Sequence, residues 1–307
     1  MENQSVILSP DQHRELEKVI SSLIENYDPL YLICFGSIEE VCSTTNCFAG
    51  ASEKRSARYY LLMVTGTKAS IEHRVQEFLN NSFAGLSVSV LVHDIDAVKL
   101  AIRKGSRFFN KVVQHGSLLY SKSGLRLNMN GQSIEPDAAA NYVKAQGQYS
   151  KRFPLAKGFL ETAAFSLRQG YYTNGVFLLH QAVEQACNVL ILIYLAYRTD
   201  IHNIGRLLDL CLLFSAELSE AMPRRTPEDK RLFALLRNSY GEARYKDDFQ
   251  ANETDAAALL ARVTELVGVA ERLAAVKLTA NAERATAEQA SIMTYPVAIN
   301  NPLPYAD

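Results

Sequence analysis

His180 and Glu184 stand four residues apart in the run Phe177-Leu-Leu-His-Gln-Ala-Val-Glu184. On a helix that spacing places both on one face, where an imidazole and a carboxylate can share a hydrogen bond or pass a proton. Downstream, Arg237, Asn238, Tyr240, Arg244, Tyr245 and Lys246 crowd one short segment. Guanidinium forks suit phosphate oxygens and phenol rings suit stacking on a base. Arg237 and Arg244, seven apart, project from one side of a helix, two turns from each other. Two plainer readings stay open: a satisfied, buried hydrogen-bonded pair for His180 and Glu184, and a solvated face for the basic cluster with Arg244 paired to Asp247 or Asp248. Asp94-Ile95-Asp96 has the spacing of paired metal carboxylates, but it lies just before a helix, where Asp is a favoured cap, and capping is the reading taken. The five cysteines form no C-x-x-C pair and have no matching His cluster, so neither zinc nor a disulfide framework is expected, and the thiols read as reduced. No metal and no cofactor is expected.

The segment that carries His180 is too apolar to lie on a surface. Val176, Leu179, Val183, Ala186, Leu190, Ile193 and Tyr197 keep helical spacing, and Leu192 and Leu195 widen the stripe until other helices must surround it. Before it, a helix from Ala139 to about Arg168 is expected to be kinked or broken by Gly147, Pro154 and Gly158, and Thr173 can cap the central helix. After it, His202-Asn203 opens a third helix and Thr226-Pro227-Glu228-Asp229 a fourth. Asn252 to Asp255 introduces a fifth. Beyond Thr279 the alanine-rich, then proline-rich sequence reads as a flexible tail.

The first third alternates differently. Ser9 as N-cap, with Pro10 and Gln12, starts a helix whose buried face is Leu16, Val19, Ile20, Leu23 and Ile24. Strands are expected at Leu30–Phe35, Tyr59–Thr65, Leu86–Val92 and Ser117–Tyr120, with helices at Ser70–Asn80 and about Ala97–His115, and a surface loop over Ser43–Ser56. Gly36-Ser37, after the first strand, is either an ordinary tight turn or backbone lying close to a phosphate. Such alternation implies an α/β layer.

Two resemblances join these pieces. The run FLLHQAVEQACNVLILIYLAYRTDIHNIGRLLDLC, followed by RLFALLRNSYGEARYKDDF, resembles the HEPN domain, and within it the sacsin-like members that often follow a nucleotidyltransferase-like domain. The marks are L-H-Q-A-x-E at Leu179–Glu184, H-N-I at His202–Ile204 and A-R-Y at Ala243–Tyr245. The first third is similar to nucleotidyltransferases of the polymerase-β type, whose first strand ends in Gly-Ser and whose second carries two metal-holding carboxylates. Here Gly36-Ser37 keeps the first element, while Arg58 and Tyr60 stand at the metal-ligand positions, and neither a cation nor a phenol can hold Mg²⁺. Ribonuclease members of the HEPN superfamily carry R-x4-6-H beginning at the position of Arg237-Asn238. This chain has the Arg and Asn but no His, and Glu242 alone offers a substitute base, a weak one when ionised.

At 307 residues, 48% hydrophobic and a net charge of −1, the chain has material for two domains and no broad basic footprint. The expected fold class is α+β: a degenerate nucleotidyltransferase-like α/β domain over 1–124, a linker over 125–138, an all-α HEPN bundle over 139–278 and a tail over 279–307. The resemblance implies non-catalytic nucleotide or nucleic-acid binding, or assembly, at Arg237, Asn238, Arg244, Tyr245, Tyr240, His180, Glu184, Gly36 and Ser37, with no catalytic and no metal-binding residue. It also implies a homodimer through the HEPN domain, with nucleotide or RNA as ligand. A metal-independent HEPN ribonuclease using Arg237 and Glu242, and a toxin–antitoxin-like interaction module, stay open. The polar, acidic N-terminus is without the basic start and apolar stretch of a signal peptide, and the most apolar run, Val189 to Tyr197, is short of the roughly 20 residues a membrane span needs, so the expected location is the cytoplasm.

Overall fold

A computed structural model describes residues 10–46, 50–67, 71–83, 86–124, 137–246 and 248–294. α1 (Pro10–Tyr27) leads into β1 (Tyr31–Asn46), which pairs antiparallel with β2 (Gly50–Thr65) and with β4 (Ser117–Ser121). β2 connects through α2 (Glu72–Ser82) to β3 (Ser87–Asp94), its parallel neighbour, since parallel strands need a crossover rather than a hairpin. α3 (Ile95–Arg103) and α4 (Arg107–His115) follow, and the sheet order is β3-β2-β1-β4.

Alternation along β2 gives the sheet two buried faces. Tyr59, Leu61 and Met63 pack with Leu16, Val19 and Leu23 of α1 and Val75 and Leu79 of α2. Tyr60, Leu62 and Val64 turn the other way, into one apolar core with Phe108 and Val112 of α4 and with the helices that follow. The sheet is therefore the wall against which the helical half is built.

That half comprises α5 (Ala138–Arg168), α6 (Tyr172–Leu195), α7 (Ile204–Cys211), α8 (Glu217–Ala221), α9 (Pro227–Tyr245) and α10 (Glu253–Thr294). α6 is the central helix, in contact with α5, α7, α9 and α10. It is the one described helix long and apolar enough to cross a membrane, and 67% of its most apolar window is buried inside the bundle. One stripe of it, through Leu178, Gln181, Gln185, Asn188, Leu192 and Leu195, is only half-buried. α9 begins at a full capping box, Thr226 with Asp229, and Pro227 fills its first turn. The bonds from Thr226, reinforced by Arg262, hold the Asp229 carboxyl down at about 2.

Several expectations change. Of the kink or break expected in α5, the break does not occur: α5 is one helix of 31 residues with Pro154 inside it. Thr173 does not cap α6; its hydroxyl accepts the Ala251 N–H at 3.2 Å instead. The expected loop over 43–56 belongs, where described, to the long β1–β2 ladder, because backbone pairing continues where apolar alternation has stopped. The tail expected from 279 is helical to Thr294: Ala274, Leu278 and Ala285 extend the buried face, and alanine has the highest helix propensity. Asp94 caps α3, its Oδ1 accepting the Ala97 N–H at 2.8 Å. The Ser9 cap, the Ser70 helix start, most of the 125–138 linker and the end of the tail lie outside the described residues.

Candidate functional site

α9 buries Leu232, Phe233 and Leu236, which turns Arg237, Asn238, Tyr240 and Gly241 toward a cleft of about 1300 Å³. The opposite wall comes from α2 and the end of β3, and the floor from the segment between α6 and α7. Ala196 ends α6 in the left-handed region, φ 54°, and redirects the chain. Tyr197 is then buried against Phe108, with ring centroids 4.5 Å apart, while His93 hydrogen-bonds its hydroxyl at 2.9 Å. Asn203 caps α7 by accepting the Gly205 and Arg206 N–H groups.

At one end of the cleft Tyr240 stacks with two imidazoles. Its ring centroid lies 5.1 Å from that of His180 and 5.2 Å from that of His202, with interplanar angles of 26° and 12°, within the range of offset stacking. Arg244 lies over the same ring at 4.4 Å, and its Nε–H donates to the Tyr240 carbonyl. His202 Nδ1 is 3.1 Å from Glu184 Oε1, so the carboxylate holds the orientation of the imidazole.

His180 is fully buried. Burial, with smaller contributions from neighbouring His202 and Arg244, drives its pKa down to about 4, so the ring is neutral near pH 7. The Gln181 amide donates to Nδ1 at 3.2 Å, which leaves the proton on Nε2, and that N–H has no acceptor among the described residues. Glu184 Oε2 is 3.9 Å from His180 Nδ1, too far for a hydrogen bond. The two are therefore neighbours and not an ion pair. Burial raises the Glu184 carboxyl pKa, against the opposing pull of His202.

The charges along the cleft divide into two groups. One group ties the sheet to the helices: Arg206 donates to Glu72 at 2.9 Å and to the Val90 carbonyl at 2.8 Å. Asp209 receives both Arg58 and Arg224 at 2.9 Å, and its carbonyl accepts the Tyr60 hydroxyl at 2.6 Å. The two residues at the expected metal-ligand positions thus grip the helical half. In the other group, Arg198, Lys230 and Arg237 have no carboxylate partner among the described residues, and the Arg237 guanidinium reaches only Asn238 Oδ1, at 3.3 Å. Glu242 also borders the cleft, but it is engaged by Lys246 at 2.7 Å.

Of the residues singled out in the sequence, Arg237, Asn238, Tyr240 and His180 line the cleft, with Arg244 and Glu184 directly behind them. Tyr245 is 79% exposed and stands apart. Gly36 and Ser37 are not a turn: both lie within β1, at a bulge opposite Tyr60 and Tyr59. A Cβ on Gly36 would come within 2.6 Å of the Leu213 side chain, so this glycine admits the helical half. Sequence reasoning missed Arg206, Arg224, Lys230 and the pairing of His202 with Glu184; the H-N-I run before α7 was the signal for the last. Among the described residues no group of three His, Cys, Asp or Glu is placed to hold a metal.

The arrangement can receive a flat ring beside the imidazole–phenol stack and an anion on Arg237, Lys230 and Arg198. No curated protein matches the chain. Residues 149–273, which run from α5 into α10 and hold His180, Glu184, His202, Arg237 and Tyr240, match the family model of the HEPN domain.

Proposed function

We propose that this protein binds a nucleotide or single-stranded nucleic acid, without turning it over, in the cleft between its sheet and its helical half. The observation that carries the reading is the imidazole of His202, stacked on Tyr240 yet 57% exposed, beside an uncompensated Arg237, since stacking holds a base and a guanidinium holds its phosphate. The unsatisfied N–H of His180 adds a donor at the same wall. The sheet half is read as a nucleotidyltransferase-like layer whose metal positions, Arg58 and Tyr60, have become docking residues. The half-buried stripe of α6 supports pairing with a second copy, because two-fold symmetry covers such a stripe most simply. Calorimetric titration with ATP, GTP and a short RNA, with and without Mg²⁺, tests the reading. Binding should survive EDTA, and Arg237→Ala should weaken it by about tenfold or more. Absence of heat from all three ligands contradicts it.

One observation favours a second reading, metal-independent RNA cleavage: Glu184 orients His202 as a carboxylate orients a general base. An EDTA-resistant cut that His202→Ala abolishes would select it; no cut by the wild type selects binding.

A further inference from the structure

A second cavity, of about 340 Å³, lies between α4 and α10 and shares no lining residue with the cleft. Arg107, Asn110 and Lys111 reach it from one face of α4, and Lys277, Asn281 and Arg284 from one face of α10, the i, i+3, i+4 and i, i+4, i+7 positions of their helices. Its two carboxylates among the described residues are already employed: Asp137 caps α5 by accepting the Ala139 N–H, and Glu288 accepts the Ala138 N–H at 3.1 Å and Arg284 at 3.4 Å. Lys111 and Lys277 have no carboxylate partner among the described residues, which leaves a surplus of positive charge there. Its cost is felt at Lys277, half-buried, where burial and the charges of Arg107, Lys111 and Arg284 all push the ammonium pKa down. Asn110 is only 3% exposed, and its Nδ2 has no acceptor among the described residues.

Repulsion among like charges and a buried donor with nothing to bind both count against leaving this cavity to water alone. A single ligand relieves both if it is a compact anion rich in acceptor oxygens. The geometry points to an anion-binding site of the small-polyphosphate class between α4 and α10, with Asn110 donating from below and Lys111, Lys277 and Arg284 enclosing the charge. The volume is at the lower end for small-ligand sites, which fits an inorganic pyrophosphate, and no aromatic side chain among the described lining residues offers a base a ring to stack on.

The test is calorimetric titration of inorganic pyrophosphate into the intact chain, with Lys111→Glu and Lys277→Met alongside. The wild type should bind pyrophosphate, more weakly as salt rises, with one site per chain left in Arg237→Ala, and each variant should lose about tenfold or more in affinity at that site. Lys111 is exposed, so Lys111→Glu reports on the site even if Lys277→Met fails to fold. The persistence of that site in Arg237→Ala, whose cleft has lost its guanidinium, separates it from the cleft. Absence of heat from pyrophosphate overturns the proposal, whether or not RNA binds, and so does undiminished binding by Lys111→Glu or loss of binding in Arg237→Ala.

Discussion

Burying a neutral imidazole ties this fold to pH through one residue, His180. Its folded pKa, about 4, lies below its ordinary 6.5, so between those values the unfolded chain binds the extra proton. Stability is fully present above about pH 6.5 and is lost as pH falls toward 4. The shift corresponds to about 3 kcal/mol at most. Glu184 acts oppositely: its raised pKa means that ionising it in the fold costs stability as pH rises. Urea denaturation of wild type and His180→Phe between pH 4.5 and 7.5 checks this: the wild-type curve should fall steeply on acidification and the variant's should be flatter, whereas parallel curves would reject a neutral His180. The spacing of His180 and Glu184 was legible in the sequence because helix geometry fixes it. The partner that Glu184 does hold, His202, was not legible as such, because it returns from 18 residues away through a turn set by the backbone of Ala196.

Among elements, α7 bears most of the polar contact between the two halves among the described residues, through Arg206 and Asp209. Asp209 is 19% exposed and takes both Arg58 and Arg224, so Asp209→Ala leaves two guanidinium groups facing each other. The expected loss is about 2 kcal/mol, between the values for surface and buried pairs, and a double-mutant cycle with Arg58→Ala should show coupling; additive single effects would deny the clamp. The same residues explain what the sequence allowed one to read. Arg58 and Tyr60 were visibly unfit for metal, yet nothing in their own strand names Asp209, a contact that exists only once two distant segments have packed. α10 teaches the complementary lesson: its alanines lacked an obvious apolar stripe, but Ala285 is buried and Glu288 secures the start of α5. Truncation after Ala280 should therefore lower the melting temperature and speed hydrogen exchange at 138–145, and a truncated chain with unchanged exchange would show the extension to be dispensable.

At the scale of the whole molecule, the α/β layer and the helical half were both readable from the change of composition near residue 139, while their shared core was not, since Tyr60 and Leu62 join one core with Leu179 and Leu208 only in three dimensions. The half-buried stripe on α6 makes a further prediction: Leu178→Arg should convert a light-scattering dimer into a monomer with its fold retained, and a wild type that is monomeric at micromolar concentration would remove the pairing. The central claim, a ligand held between the two halves against Tyr240, is tested most directly by photocross-linking a short RNA carrying 4-thiouridine and mapping the modified peptides. Adducts should fall within 198–206 and 237–242, and they should disappear in Tyr240→Leu together with Arg237→Ala. Adducts confined to other surfaces, or undiminished in that double variant, would contradict the account.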